Sequence, residues 1–534
     1  MAFESDRRYL GLSRPRPRFA TNGTPAIPAE AFVLLGIAVL AGIYWIARSG
    51  GHWADSDSSF MASAIRAVVS EARLIPDEVV YPSGYGYQVI SATVVAFTGI
   101  EVAVLQQYVY PLLAAFVILS AWVAYRELLS SSRLATIAAL LLLLVPGHLF
   151  SLLRGSHEPL DRILVFATLW LILRGIRVGW RPSNVAVYLG LALAMAYALV
   201  ATNVLFGISF VGALGAALVG SWILQWGPPT VRPLSKEVVR HLSWFVAQSV
   251  LLIGAFILFI YPPAGFSLRQ LFSVAGGAAS AVVSEVPDAS PYAGVLASWV
   301  SPEVYVLLSL GEYLLIGGSG LVWIWQGWRW LRGTTPLSLG SWLLWLMYAA
   351  FAAQLVVTVL SDRAGAVASN LQYRTFTVYA AIAAAVLAQG LAQLRAVQWR
   401  RATVRFAVAL FAVAALLKAT NEPILSNEWT FYTRAEFAGM EWTDRWQRSS
   451  ISWVGPRTRL ANAYALEAGR PQWFNRWAFG EPAPDVRAYL ISDAIRLHSA
   501  RLGVPVPAVG PHNLVYDSGA VQVYRTRALG AFER

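Results

Sequence analysis

Charged side chains are scarce in this chain, and they gather in short polar stretches between long apolar runs. The first stretch, GHWADSDSSFMASAIRAVVSEARLIPDEVVYPSGYGYQ, sets Asp55 and Asp57 two residues apart just past an apolar run. The second is RGSHEPLDR, with Arg154, His157, Glu158, Asp161 and Arg162. Later ones hold Arg269, then Ser361-Asp362-Arg363, then Asn370, Gln372, Tyr373 and Arg374. Carboxylates and arginines brought to one place suit a reaction that removes a proton and releases an anion. A carboxylate accepts the proton of a nucleophile, and a guanidinium neutralises a departing phosphate, by two parallel hydrogen bonds where geometry permits.

Other catalytic engines are missing. There is no Gly-x-x-x-x-Gly-Lys-[Ser/Thr] phosphate loop and no His-Glu-x-x-His, and the GSG and GYG fragments are too short for a dinucleotide fingerprint. Without cysteine there is no disulfide, thiol nucleophile or Cys-ligated metal. Each candidate also has a plainer role. Asp55 and Asp57 suit the amino-terminal cap of an amphipathic helix starting near Ser58 or Ser59. His157 and Glu158 suit the cap of a helix that begins at Pro159. Arg154 and Arg162 suit snorkelling at an interface, and His148 suits packing. Glu312 lies about two turns into an apolar run, where carboxylates are functional by default, unless Arg269 or Arg374 pairs with it structurally. Trp53, Trp299 and Tyr85 offer faces for a sugar.

The elements that must position these residues are mostly membrane helices. The chain is 57% hydrophobic and only 13% charged, against about 25% charged in soluble globular proteins, and mean hydropathy is +0.54. The reading is an all-α polytopic membrane protein of about 11 spans. Spans are predicted near 31–48, 102–125, 134–153, 160–173, two within 185–224 with a tight link at Ala201-Thr202-Asn203, then 242–261, 304–325, 342–360, 376–394 and 404–417. Residues 1–28 form a basic tail, and long connections run over 49–88 and 263–303. Arginines crowd the even-numbered connections, which puts the amino terminus in the cytoplasm and the carboxyl-terminal part outside. The net charge of +12 therefore records orientation, not nucleic-acid binding.

From 420 to 534 the composition suits a small exoplasmic α/β domain. A helix is expected over 434–446, strands over 450–454 and 488–492 with a helix over 457–468 between them, and a hairpin turning at Asp517-Ser518-Gly519.

An Asp-bearing first outer loop, an acidic second outer loop and an arginine opening a late span resemble the GT-C membrane glycosyltransferases. These include oligosaccharyltransferases, protein O-mannosyltransferases and aminoarabinose transferases. The Asp-Ser-Asp loop followed by YPSG, and the VYDSGAVQVYR hairpin (Val515 to Arg525), are similar to prokaryotic members. The resemblance implies inverting transfer of a sugar from a polyprenyl-phosphate donor to the hydroxyl of a glycan, lipid or protein, in a prokaryotic cytoplasmic membrane. Asp57 matches the family's catalytic Asp, Glu158 its second-loop acid, and Arg374 the arginine that meets the lipid phosphate. Asp55 is a second catalytic candidate, Arg269 and Arg154 are further phosphate candidates, and Tyr85, Tyr373 and Glu312 complete the set. Met61 stands where the family often has histidine, which removes one metal or phosphate contact. Some members use a divalent ion, Mg or Mn, for which Asp55, His157 and Glu158 are the available ligands. A flippase for a lipid-linked saccharide would instead favour inverted repeats and Pro- or Gly-broken helices. A non-catalytic cell-envelope assembly protein would need no shared cluster of Asp57, Glu158 and Arg374.

Overall fold

The computed structural model describes residues 29–77, 80–177, 182–225, 236–283, 302–332, 338–363, 371–393, 401–421 and 432–446, with shorter pieces up to 526. The tail over 1–28, Asn370 and Trp299 lie outside the described residues.

Every predicted span is helical. The helices are α1 (Ala29–Ser49), α2 (Ser56–Glu71), α3 (Gly86–Thr98) and α4 (Val102–Leu129). Then come α5 (Ser132–Leu143), α6 (Pro146–Leu153), α7 (Glu158–Arg177), α8 (Pro182–Thr202), α9 (Val204–Gln225) and α10 (Lys236–Ala255). The rest are α11 (Gly265–Val283), α12 (Pro302–Leu308), α13 (Leu310–Leu331), α14 (Leu339–Arg363), α15 (Leu371–Gln393), α16 (Arg401–Asn421) and α17 (Arg434–Trp446). Six helices among the described residues are long and apolar enough to cross a membrane, seven if the bent pair α5–α6 counts as one, so length and composition do not establish eleven crossings.

Apolar spacing explains the packing. Ala31, Leu34, Ala38, Ala41 and Trp45 are buried along one stripe of α1, which lies on α4. By contrast, α15 is buried without interruption from Thr377 to Val386, which makes it the central helix. Its alanine-rich sequence lets neighbours approach closely.

Two helices expected to be continuous or plainly linked are broken in an informative way. The predicted span 134–153 bends by 82° between α5 and α6. Pro146 removes a backbone donor there, and the Gly147 amide donates to Glu312 Oε1 instead (2.8 Å). Lys418 Nζ pairs with Glu312 Oε2 at 2.9 Å and donates to Ser309 Oγ at 2.6 Å. Glu312 thus takes Lys418 as partner, not Arg269 or Arg374, and stabilises a helix start.

The second break, at Asn203 between α8 and α9, falls where the sequence placed the link. The YPSG loop satisfies its backbone. Tyr85 N–H donates to the Ala201 carbonyl (2.7 Å), and Val204 N–H donates to the Ser83 carbonyl (2.8 Å). Between them Gly84 has φ +157°, and a Cβ there would stand 2.4 Å from the Ala201 oxygen, so only glycine fits.

The stretch from 266 was expected to be a long re-entrant or interfacial connection; Gly265–Val283 is a helix packed on α14. Its Gly, Ala and Ser residues, which weakened the helical signal, favour close contact between membrane helices.

The carboxyl-terminal part forms a five-stranded sheet from β1 (Trp453–Gly455), β2 (Phe474–Arg476), β3 (Ala488–Ser492), β4 (His512–Asp517) and β5 (Val521–Thr526), in the order β2-β1-β3-β5-β4. β1 runs parallel to β2 and β3, and β5 is antiparallel to β3 and β4. The predicted hairpin is present, with Gly519 at φ +83° in its turn, whereas β2 was not anticipated. α17 has its predicted bounds and starts with a capping box. Glu436 N–H donates to Thr433 Oγ1 (3.2 Å) and Thr433 N–H to Glu436 Oε2 (2.9 Å). Of the helix expected over 457–468, only 463–464 is described.

This part sits directly on the first polar loop. His52 stacks on Phe437 at 4.4 Å, Tyr432 N–H donates to the Ala54 carbonyl (2.9 Å), and Arg434 Nη2 donates to the Ala47 carbonyl (2.5 Å). Trp53, Met61 and Ile65 share one apolar cluster with Phe437, Leu490 and Val521. Met61 is fully buried there.

Candidate active site

Asp55 and Asp57, so close in sequence, have different surroundings. Asp55 is extended (φ −142°, ψ 161°) and caps α2. Its Oδ1 accepts the amides of Asp57 (3.0 Å) and Ser58 (3.1 Å), and its Oδ2 accepts Ser58 Oγ (2.8 Å). Burial pushes this carboxyl up, against the opposing charge of Arg154. Asp57, in the first turn, turns one oxygen to Arg154, whose Nη2 donates to Oδ2 at 2.8 Å. Among the described residues nothing hydrogen-bonds to Asp57 Oδ1.

Arg154 does not snorkel: it is 2% exposed. It ends α6 in an extended conformation, lies over the Phe150 ring at 5.1 Å, and its Nε donates to Ser156 Oγ (3.1 Å) and Glu158 Oε2 (3.2 Å). Its Nη2 also pairs with Glu158 Oε1. Burial alone would pull its pKa down, but Glu158, Asp57 and Asp55 hold it above the ordinary value, so it stays charged. Arg162 is likewise buried. Its Nη2 donates to Thr377 Oγ1 and its guanidinium lies 4.3 Å over Phe206, while Nε and Nη1 have no partner among the described residues. His148 is buried, its Nδ1 3.3 Å from the Thr377 carbonyl.

Next to the Asp57–Arg154–Glu158 group runs a second chain of contacts. His157 Nδ1 lies 2.8 Å from Asp161 Oδ2, and His157 Nε2 lies 2.7 Å from the Tyr81 hydroxyl. Burial pushes the Tyr81 phenol up. Arg374, in the first turn of α15, opposes that shift, while Asp57, Glu158 and Asp161 add to it. One hydroxyl therefore senses both the acidic loops and the late-helix arginine. Tyr81 was not singled out from the sequence, because a tyrosine before Pro-Ser-Gly is equally explained as a turn residue; its place opening YPSGYGY was the available signal.

Burial alone would lower the His157 pKa, but Glu158 and Asp161 raise it above 6.5. The stability from charged His157 is thus complete below about pH 6.5 and disappears as pH rises through the higher folded-state value. The thermal midpoint of the wild type should fall as pH rises above about 6.5, and more steeply than that of His157→Gln. Equal slopes would remove His157 as the titrating group.

Other candidates stand apart from this cluster. Arg269 is exposed on α11. Tyr373 donates to the Gly147 carbonyl (2.9 Å) and packs on Phe150. Asp362 Oδ2 accepts the Gln372 amide (2.9 Å) and so caps α15. Trp53 is 1% exposed with its Nε1 donating to Gln106 Oε1 (3.0 Å), which leaves no face for a sugar. Tyr85 bonds Tyr197 (2.8 Å) and, with Tyr81, Tyr261 and Gln88, lines a small hollow beside the apolar face of α2.

Asp55, His157 and Glu158 do not form a metal-ligand set as placed. Asp55 is taken up by its helix, His157 by Asp161 and Tyr81, and Glu158 by Arg154 and Ser156. Among the described residues no group of three or more His, Asp or Glu side chains is arranged to hold a metal.

The helical bundle with its broken helices and small mixed sheet shares its fold with solved oligosaccharyltransferase structures. The oligosaccharyltransferase of Archaeoglobus fulgidus in its apo form matches with a TM-score of 0.54 at 12% identity, over 86% of this chain and 69% of that one. The same enzyme in complex with an inhibitory peptide and a dolichol-phosphate matches at 0.51 and 12%, with the same coverage. Its complex with Zn and sulfate matches at 0.51 and 10%, over 92% and 73%. Identities this low show a shared fold. No protein-family model and no curated protein sequence matches the chain.

Proposed function

We propose that this protein is a membrane glycosyltransferase that moves a sugar from a polyprenyl-phosphate donor to an acceptor hydroxyl with inversion. The supporting observation is the position of Asp57: one oxygen is fixed by Arg154, the other is unpartnered among the described residues, and Arg374 is near enough to act electrostatically on Tyr81. Asp57 Oδ1 takes the acceptor's proton as the acceptor oxygen attacks the anomeric carbon. The bond from that carbon to the phosphate oxygen breaks on the opposite face, and the polyprenyl phosphate leaves with the electron pair toward Arg374. The fold neighbour solved with dolichol-phosphate supports a lipid-phosphate donor. The arginine asymmetry supports placing the sheet end outside a prokaryotic cytoplasmic membrane.

The two breaks also favour a flippase; the sequence showed the link at Asn203 and hid the bend at Pro146. Here, however, the freed backbone groups are satisfied by Glu312 and by the YPSG loop, so the breaks build the site. Proteoliposomes supplied with polyprenyl-phosphate-linked sugars decide between the readings. Transfer with an inverted anomeric centre is expected, and scrambling of the donor without transfer would establish the flippase instead.

A further inference from the structure

We propose that Arg154 is a built-in cation that occupies the place between Asp57 and Glu158 where a divalent metal would otherwise bridge two carboxylates. The proposal deepens the transferase reading and rests on it for its catalytic meaning, though not for its test.

A divalent ion in such a site needs carboxylate oxygens that converge and are free to bind it. Here they converge on a guanidinium. Nη2 reaches Asp57 Oδ2 at 2.8 Å and also Glu158 Oε1, while Nε reaches Glu158 Oε2 at 3.2 Å. The side chain is held from below by Phe150 at 5.1 Å. The backbone fixes its aim: Ser156 N–H donates to the Arg154 carbonyl (2.9 Å), and a Cβ on Gly155 would stand 2.7 Å from the Gln106 carbonyl oxygen, so the turn stays tight only with glycine. Gln106 Nε2 and the Tyr87 hydroxyl both donate to the Gly155 carbonyl, at 3.0 and 2.9 Å.

The surrounding charges agree. Asp55, Asp57 and Glu158 act on Arg154, and Glu158 and Asp161 act on both His157 and Arg162. A cluster already neutralised in this way has little field left to draw in a dication. Arg154 is therefore a positioning residue. It holds one oxygen of Asp57 and leaves the other for the acceptor.

Mn²⁺ binding to the purified full chain, read by the loss of free-ion EPR signal, tests this directly. Wild type is expected to bind no Mn²⁺ at these residues. Arg154→Gln leaves Asp55, Asp57 and Glu158 uncompensated and is expected to gain a site at least about tenfold tighter than any wild-type binding. That site should disappear in Arg154→Gln/Glu158→Gln, and Arg154→Lys, which keeps the charge, should bind none. A wild-type chain that binds one Mn²⁺, lost in Glu158→Gln, overturns the proposal. So does a folded Arg154→Gln chain, judged by gel filtration and thermal melt, that binds none. If Arg154→Gln does not fold, the wild-type and Glu158→Gln pair still decides. Transfer that survives chelation is a separate expected readout, and absence of transfer under every condition would count against the transferase reading while leaving the binding result intact.

Discussion

Asp57→Asn is expected to lower the rate of sugar transfer by about two to four orders of magnitude, the usual contribution of a positioned general base, while the chain still folds and binds donor. The asparagine is nearly isosteric, and Arg154 keeps Glu158 and Ser156 as partners. α2 keeps its start, because the cap belongs to Asp55. The neighbouring Asp55→Ala separates the two roles. It removes a buried cap and should cost about 1 kcal/mol of stability or somewhat more, with transfer by the folded fraction much less affected. Single-turnover transfer gives the first quantity, and donor-induced thermal shift gives the second. Transfer by Asp57→Asn within about tenfold of wild type would exclude that carboxylate as the base.

Features set by a few neighbouring residues were legible in the sequence. The α17 bounds follow from Thr433-x-x-Glu436, the hairpin from alternating apolar residues around Asp517-Ser518-Gly519, and the α8–α9 break from Ala201-Thr202-Asn203. The sharp bend at Pro146 was hidden because an apolar run averages over it, and because the group that compensates it, Glu312, lies 165 residues away. Distance along the chain hid the site in the same way. Asp57 and Arg154 were each visible as candidates, but their bond spans 97 residues, and in isolation a buried ion pair and a snorkelling arginine read alike. Lys418 was not singled out from the sequence, although it pairs with Glu312 inside the bundle.

The other large effect is expected at Arg374. The guanidinium lies in the first turn of α15, at the positive end of the helix dipole, where a cation is unfavourable. Asp362 relieves part of that cost by accepting the Gln372 amide. An incoming phosphate would meet both the guanidinium and the helix start, two favourable terms at one point. Negative charge grows on the leaving oxygen as the bond breaks, so the arginine should matter more in the transition state than in the bound donor. Arg374→Gln is therefore expected to reduce kcat/KM by about 10²- to 10³-fold, in the range seen when one charge-stabilising donor is removed, with kcat falling more than KM rises. Arg374→Lys should recover part of the loss, since a point charge replaces a two-pronged one. Product inhibition by free polyprenyl phosphate should weaken in step, because the product carries the charge that Arg374 meets. If Arg374→Gln transfers sugar within about threefold of wild type and is inhibited by polyprenyl phosphate as strongly, the leaving group departs elsewhere, and the buried Arg162, with two guanidinium nitrogens unpartnered among the described residues, becomes the cation to test.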